Sequence, residues 1–203
     1  MPLPLSSTLG SIPLAAIDFE SAGAAPGETD QPVQVGIVRL ERLSEEQPSL
    51  FTSYIACTRP VRWSASKVHG ITTAHLQNAP EFPTLWPELK QHLQDALVIG
   101  HNPSTEKRFL RAFPGHGFGP WLDTLQLARQ AIPQLGDYTL SCVCGALGLE
   151  EEIRQWVQTA GTQHLHWHDA LFDAAASLLL LRKLLLSLHM EHTTLEQIPF
   201  AIS

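Results

Sequence analysis

Apolar residues follow two rhythms along this chain. Early on they come in short runs with a period of two. Residues 13–20 (PLAAIDFE) open with an apolar stretch, 33–41 (VQVGIVRLE) alternate, and 50–57 (LFTSYIAC) alternate again. Each predicts a strand, because successive side chains on a strand point to opposite faces. Residues 21–32 (SAGAAPGETDQP) carry the Gly and Pro of a loop. ALVIG (96–100) is short and wholly apolar, as a strand covered on both faces would be. Longer periods then take over. They predict helices over 81–94, with Pro83 and Pro87 at its start, over 138–149, over 150–158 and from about 169 to 188. Asn102 predicts an N-cap with Pro103 as the first helical residue. Residues 113–120 read as a loop, and 121–132 as a strand end running into a helix. Strands first, then strands alternating with helices, predict an α/β or α+β sheet with helices packed on it.

Four acids break this pattern. Asp18 and Glu20 sit one residue apart at the end of the first strand, so they point to one side. On the helix after Asn102, Glu106 falls on the stripe of Phe109, Leu110 and Phe113, while Ser104, Lys107, Arg108 and Arg111 point outward. Asp173 is an acid in an otherwise apolar segment, 170–181. Burying an unpaired carboxylate costs several kcal/mol, on the order set by its lost hydration. No Lys or Arg lies on these apolar faces to match them. Either the four sit apart, or a cation lies among them. Taken singly, Glu20 reads equally well as an exposed strand end, Glu106 as a partly exposed helix residue, and Asp173 as an acid near a helix N-terminus. Oxygen donors alone select a hard divalent ion, Mg²⁺ or Mn²⁺, and two such ions suit phosphoryl chemistry. His168 lies five residues before Asp173, so it shares a site with it only from a loop ahead of the helix, with Asp169 as N-cap. An imidazole so placed suits a general base that takes a proton from an attacking water. The neighbouring HLHWH (164–168) lacks the Cys pair or HExxH of a zinc site, which leaves His164 and His166 as surface or substrate-edge residues.

Composition adds bounds. The chain has 203 residues, 44% of them hydrophobic, enough for one domain. A single domain over 1–203 is expected, with its core at about 13–188 and a short tail over 189–203. The net charge of −7, from 13 Lys and Arg against 20 Asp and Glu, disfavours a protein that coats nucleic acid through phosphate contacts. It does not disfavour an acidic metal site that handles a polyanion. Cys57, Cys142 and Cys144 fit no metal spacing and read as reduced, buried thiols. The N-terminal stretch has no basic region of a signal peptide, and the apolar run 174–188 is broken by Arg182 and Lys183. A cytoplasmic protein with no membrane association is expected.

Three stretches together carry a resemblance. DFE (18–20) is similar to a D-x-E motif, VIGHNPSTEKRFL (98–110) to a strand followed by His-Asn, an acid and Phe-Leu, and HDALFDA (168–174) to H-x4-D. KVHGIT (67–72) and LDTLQLAR (122–129) resemble the segments that link them. Over roughly 13–186 the chain resembles the DEDDh 3′–5′ exonucleases, the family of the proofreading ε subunit and ribonuclease T. The resemblance implies an RNase-H-like α/β fold with a mixed five-stranded sheet flanked by helices. It implies two Mg²⁺ or Mn²⁺ ions on Asp18, Glu20, Glu106 and Asp173, with His168 as general base, and release of nucleoside 5′-monophosphates from a single-stranded or frayed 3′ end of DNA or RNA. Phe19, His101, Asn102 and His69, within matched motifs, and Ser21, just after the first, are then substrate contacts. A homodimer or a polymerase-like partner would suit such a protein. Two departures stand out: Glu106 occupies a position usually held by Asp, and the first motif continues Ser21-Ala22-Gly23 in place of Thr-Thr-Gly. Thr105 also stands where an aromatic is frequent. Separately, Arg59, Arg62, Trp63 and Lys67 form a basic–aromatic cluster in which Trp63 could stack a base, or simply belong to a solvated loop. Two other functions stay open: an exonuclease-fold module that binds nucleic acid or a protein with little turnover, and a related nuclease that cuts internally.

Overall fold

In chain order the elements are β1 (Leu14–Ser21), β2 (Pro32–Leu40), β3 (Ser49–Tyr54), α1 (Trp63–His69), α2 (Trp86–Leu93), β4 (Leu97–Gly100), α3 (Ser104–Leu110), β5 (Trp121–Asp123), α4 (Thr124–Ala131), α5 (Leu140–Ala146), α6 (Glu150–Gln158) and α7 (Ala170–Ser187). They come from a computed structural model that describes residues 3–160 and 166–198. The strands make one sheet in the order β3-β2-β1-β4-β5. β1, β2 and β3 pair antiparallel, and β4 and β5 add on parallel to β1. This is the mixed five-stranded sheet the sequence implied.

Alternation along β1 divides the core in two. Leu14 and Ala16 join Val38 and Leu40 of β2 and the apolar side of α7. Ala15, Ile17 and Phe19 join Val35, Ile37 and residues of α2 and α3. Cover on both faces explains the unbroken apolar start of the strand. α7 is the central helix, buried from Ala170 to Leu181 apart from Asp173. Each fully buried leucine there contributes roughly 2 kcal/mol relative to leaving it in water. The period of two carries on past Ile17, so Asp18 and Glu20 lie on the same side as Leu14 and Ala16, under α7.

Gly36 lets that helix come close. It pairs with Asp18 across β1 and β2. A methyl group there would lie 2.2 Å from the backbone C of Ala170 and N of Leu171. Two residues earlier on β2, Gln34 locks the helix start. Its Nε2 donates to Asp169 Oδ2 at 2.7 Å, and its Oε1 accepts from the Ala170 amide at 3.1 Å. The other oxygen of Asp169 accepts from the amides of Leu171 and Phe172, the N-cap expected of it. Gln34 and Asp169 are only 4% and 5% exposed.

Several expectations need correction. Asn102 does not cap α3. The N-cap is Pro103, and Asn102 adopts a left-handed backbone, φ 62°, with its amide donating to Asp123 Oδ1 at 2.9 Å. The helix expected over 81–94 opens as a 3₁₀ turn, Phe82–Leu85, since prolines at both starts supply no amide to a continuous ladder. Residues 63–69 form a helix and not a loop. Of the cysteines only Cys144 is buried; Cys57 is half-buried and Cys142 exposed. The segment after 188 turns back, Thr194 bridging Thr8 of the N-terminal arm, with Leu195 and Ile198 buried.

Candidate active site

The sheet ends where β1, α3 and α7 meet. A polar cavity of about 350 Å³ opens there, lined by Asp18, Glu20, Ser21, Glu106, His168 and Asp173 among others, with no Lys or Arg among the described residues of its wall. Each side chain arrives by its own route. β1 supplies Asp18 and Glu20 on one face. The N-terminal turn of α3 supplies Glu106, 6% exposed, as its apolar stripe required. α7 supplies Asp173 in its first turn, and His168 stands just ahead of it. His168 holds a left-handed backbone, φ 66°. That conformation aims its amide at Asp173 Oδ2, 3.2 Å away. One ligand atom from each of Glu20, His168 and Asp173 falls within 4.8 Å of the others. Asp18 and Glu106 line the same cavity.

Such crowding has an electrostatic signature. Burial, then the charges of Asp173, Glu106, Glu20 and Asp169, hold the Asp18 carboxyl well above the usual range. Burial and the charges of Asp173, Asp169 and Glu106 push Glu20 up to about 9. Burial outweighs the amides of Glu106 itself and Phe19 and lifts Glu106 to about 7. Burial likewise lifts Asp173 to about 7 against the pull of the His168 amide. Asp173 Oδ1 is buried with no hydrogen-bond partner. Crowded acids held above their usual range, and an orphaned oxygen on one of them, fit a divalent cation. Carboxylate oxygens with at most one imidazole are the donor set of Mg²⁺ or Mn²⁺. The residues present therefore fit the ions.

The expected substrate contacts take different places. Ser21 and Asn102 line the cavity, Asn102 exposed. Phe19 lines it too, but its ring is buried, edge-on to Phe82 and Phe109. His101 is at the wall with both nitrogens committed, Nδ1 to Thr124 Oγ1 at 3.0 Å and Nε2 to the Tyr138 carbonyl at 2.8 Å. His69 is buried, its Nε2 on the Ser21 carbonyl and its Nδ1 accepting from the Ile71 amide, both at 3.0 Å. These histidines brace the end of β1 at Ser21 and the turn at Asn102. Trp63 lies outside the cavity wall on α1, 72% exposed, with Lys67 Nζ 4.2 Å over its ring. Arg59 and Arg62 turn to Glu28, at 2.7 and 3.5 Å. Arg108 and Arg111 are exposed as expected, Arg108 near Asp30 at 3.7 Å, whereas Lys107 is half-buried and lies over Trp121. His166 is exposed; His164 lies outside the described residues.

Three residues that build the site went unread in the sequence. Asp123 caps α4 through the Leu125 amide while holding the Asn102 amide, so it fixes the turn that leads to Glu106. Its place just before a helix pattern was a usable signal. Gln34 and Gly36 gave none, since their partners are more than a hundred residues away in sequence.

A mixed sheet with acids gathered at the end of its central strand defines an RNase-H-like nuclease architecture. An exonuclease family model, RNase_T, matches residues 15–181. The chain belongs to that exonuclease family. A PolC-type DNA polymerase III from Thermotoga maritima is 30% identical over 150 residues, which cover 70% of this chain and 10% of that protein. The DNA polymerase III ε subunit of Aquifex aeolicus is 29% identical over 142 residues, 66% of this chain and 67% of that one. The chain thus spans about a tenth of its PolC-type relatives. Among solved structures, Exonuclease X in complex with 5′-overhanging duplex DNA superposes with a TM-score of 0.63 at 22% identity, covering 89% of this chain and 97% of that one. The nuclease domain of 3′hExo, a DEDDh member bound to rAMP, gives 0.69 at 13% identity, covering 93% and 98%. Among the described residues no helix is long and apolar enough to cross a membrane.

Proposed function

We propose that this chain is a metal-dependent 3′–5′ exonuclease. It would hydrolyse the terminal phosphodiester of single-stranded or frayed DNA or RNA and release nucleoside 5′-monophosphates. One observation carries the reading: four carboxylates and His168 converge on a cavity whose wall holds no Lys or Arg among the described residues. A phosphodiester cannot approach that much negative charge unaided, since positive charge must first balance it. Asp18, Glu20, Glu106 and Asp173 would hold two Mg²⁺ or Mn²⁺ ions. Bound ions of this kind neutralise phosphate charge, favour deprotonation of water and stabilise a leaving oxygen.

The chain's own residues do the rest. His168 is exposed on a loop, and its backbone bond to Asp173 fixes where the imidazole starts from. It takes the proton of the attacking water as the water's oxygen bonds to phosphorus. The P–O3′ bond then breaks and the leaving oxygen takes a proton from solvent, which gives a 3′-hydroxyl on the shortened strand. Ser21 and Asn102 are the polar groups that would meet the terminal nucleotide, and Trp63 with Lys67 offers a base a stacking surface further out. The family placement, a neighbour described as a 3′-exonuclease and another bound to rAMP support this polarity and product. Polymerase-type relatives make a polymerase partner, and a cytoplasmic setting, the natural context.

The test uses single strands labelled at either end, with Mg²⁺ or Mn²⁺ and then with EDTA. Metal-dependent release of mononucleotides from the 3′ end, abolished by Asp18→Ala, is expected. His168→Ala should cut turnover by on the order of 10²–10⁴ while leaving metal-induced thermal stabilisation in place. Equal loss of that stabilisation would make His168 a ligand. Glu106 in place of the usual Asp is the observation behind a second reading, a binding module; strand binding with no release in either metal would establish it. Cleavage of a closed circular strand as fast as a linear one would point to an internal cutter.

A further inference from the structure

Next to the carboxylate cavity runs a second groove of about 560 Å³ that shares His101 and Asn102 with it. Its floor is of a different kind. Leu125 of α4, Leu140 of α5 and the Tyr138 ring between those helices give it an apolar body, and Arg129 stands on its rim. Tyr138 is pinned, its hydroxyl donating to the Ile132 carbonyl at 2.6 Å, so the ring is held in place. Arg129 is exposed, 5.8 Å from that ring, and forms no ion pair with a described residue. Burial holds the His101 imidazole below its usual range, and Arg129 is close enough to add a little to that. The one acid on the rim, Asp137, is turned onto the amide and hydroxyl of Thr139. A guanidinium without an acid partner over an aromatic ring, beside an acidic cavity, matches a nucleotide unit: a base for the ring and a phosphate for the cation.

We propose that this groove is the subsite for the penultimate nucleotide of the strand, with Arg129 on that nucleotide's own 5′-phosphate. The proposal rests on the exonuclease reading above, in which the terminal nucleotide fills the carboxylate cavity. The groove meets that cavity at His101 and Asn102, which line both, so the next unit of the chain enters it. The consequence is a length step. A dinucleotide carries only the scissile phosphate. A trinucleotide adds the phosphate that Arg129 would hold.

The experiment compares wild type, Arg129→Gln and Arg129→Lys, each checked by thermal melting. Substrates are the 4-nitrophenyl ester of thymidine 5′-monophosphate, a dinucleotide, a trinucleotide and a ten-residue single strand, with Mn²⁺. Wild type should gain in kcat/KM from dinucleotide to trinucleotide by about tenfold to a hundredfold, the range for one charge-assisted contact. Arg129→Gln should lose that gain and leave ester and dinucleotide hydrolysis unchanged, and Arg129→Lys should recover part of it. On the ten-residue strand the salt slope of log KM should fall by about 0.7 in Arg129→Gln. An equal loss on ester and trinucleotide, or no loss on either, would overturn the subsite while leaving the exonuclease reading intact. No hydrolysis of any substrate by wild type would remove the exonuclease reading, and the subsite with it.

Discussion

The close approach between Gly36 and the start of α7 yields the sharpest prediction. Gly36→Ala adds one carbon where 2.2 Å separates the new atom from the Ala170 carbonyl carbon and the Leu171 nitrogen. Both are backbone atoms, so no side chain can swing aside. Ordinary contact begins near 3.4 Å, so the first turn of α7 must retreat by about 1.2 Å, the difference of those two distances. Overpacking of this kind costs roughly 1–3 kcal/mol. For a chain of this length that lowers the melting temperature by about 2–12 °C. The same retreat carries His168 and Asp173 away from Asp18 and Glu20, which β1 holds fixed. Misplacement by about 1 Å costs on the order of 10² in rate. The assay is hydrolysis of a nucleotide aryl ester with Mn²⁺, beside a thermal melt. Ile153→Val serves as control: Ile153 is buried on α6, away from the cavity wall, and the change should cost about 1 kcal/mol of stability with turnover unaltered. Wild-type turnover in Gly36→Ala, with or without a stability loss, would mean that the seat of α7 does not set the site.

Two further outcomes follow from the same arrangement. With EDTA, the folded state keeps protons on Glu20, Glu106 and Asp173 up to about 9, 7 and 7, where the unfolded chain has lost them near its ordinary values of 4.5, 4.5 and 3.8. The folded state then binds more protons than the unfolded one, so stability should fall as pH rises from about 4 toward 9, and Mn²⁺ should flatten the slope. A flat profile from about pH 5 to 9 in EDTA, by urea unfolding, would refute the crowding. Gln34→Leu strands the Ala170 amide and one oxygen of Asp169, both buried, and should cost roughly 2–4 kcal/mol in urea unfolding. A loss below about 1 kcal/mol would mean the bridge is not what anchors the helix.

Much of this was legible from residue pattern because local chemistry agreed with the fold. Period-2 runs became β1 to β3, Asp169 became the cap of α7, and the stripe of Phe109 and Leu110 turned Glu106 inward. The misses share a cause: a distant partner decided them. Asn favours both the N-cap and the left-handed region. Asp123, 21 residues on, takes the Asn102 amide and selects the second. α1 has no apolar stripe, with Trp63 and Val68 exposed, and it is held through His69 on the Ser21 carbonyl and the Arg62 amide on the Ala22 carbonyl. Gln34 looked like any polar residue on a strand until α7 was laid over it. His69 and His101 sat inside matched motifs, which suggested substrate contact, yet their ring nitrogens are committed to the protein.

Glu106 is where pattern and structure bear on the same question. It stands in the first turn of α3, whose amides lack helical partners. Its carboxylate draws on its own amide and reaches the Phe19 amide between Asp18 and Glu20. The additional methylene therefore spans from α3 to the strand end, keeping the charge at the cavity and not beyond it. An Asp at 106 could still meet its own amide but would give up Phe19. Since the charge is what a cation needs, Glu106→Asp should keep kcat/KM within about tenfold of wild type, or raise it, with Mn²⁺. Glu106→Gln, which keeps the length and discards the charge, should lose about 10² or more. If Asp proves as inactive as Gln, the bond to Phe19 is indispensable, and the length of this side chain is a requirement of the site.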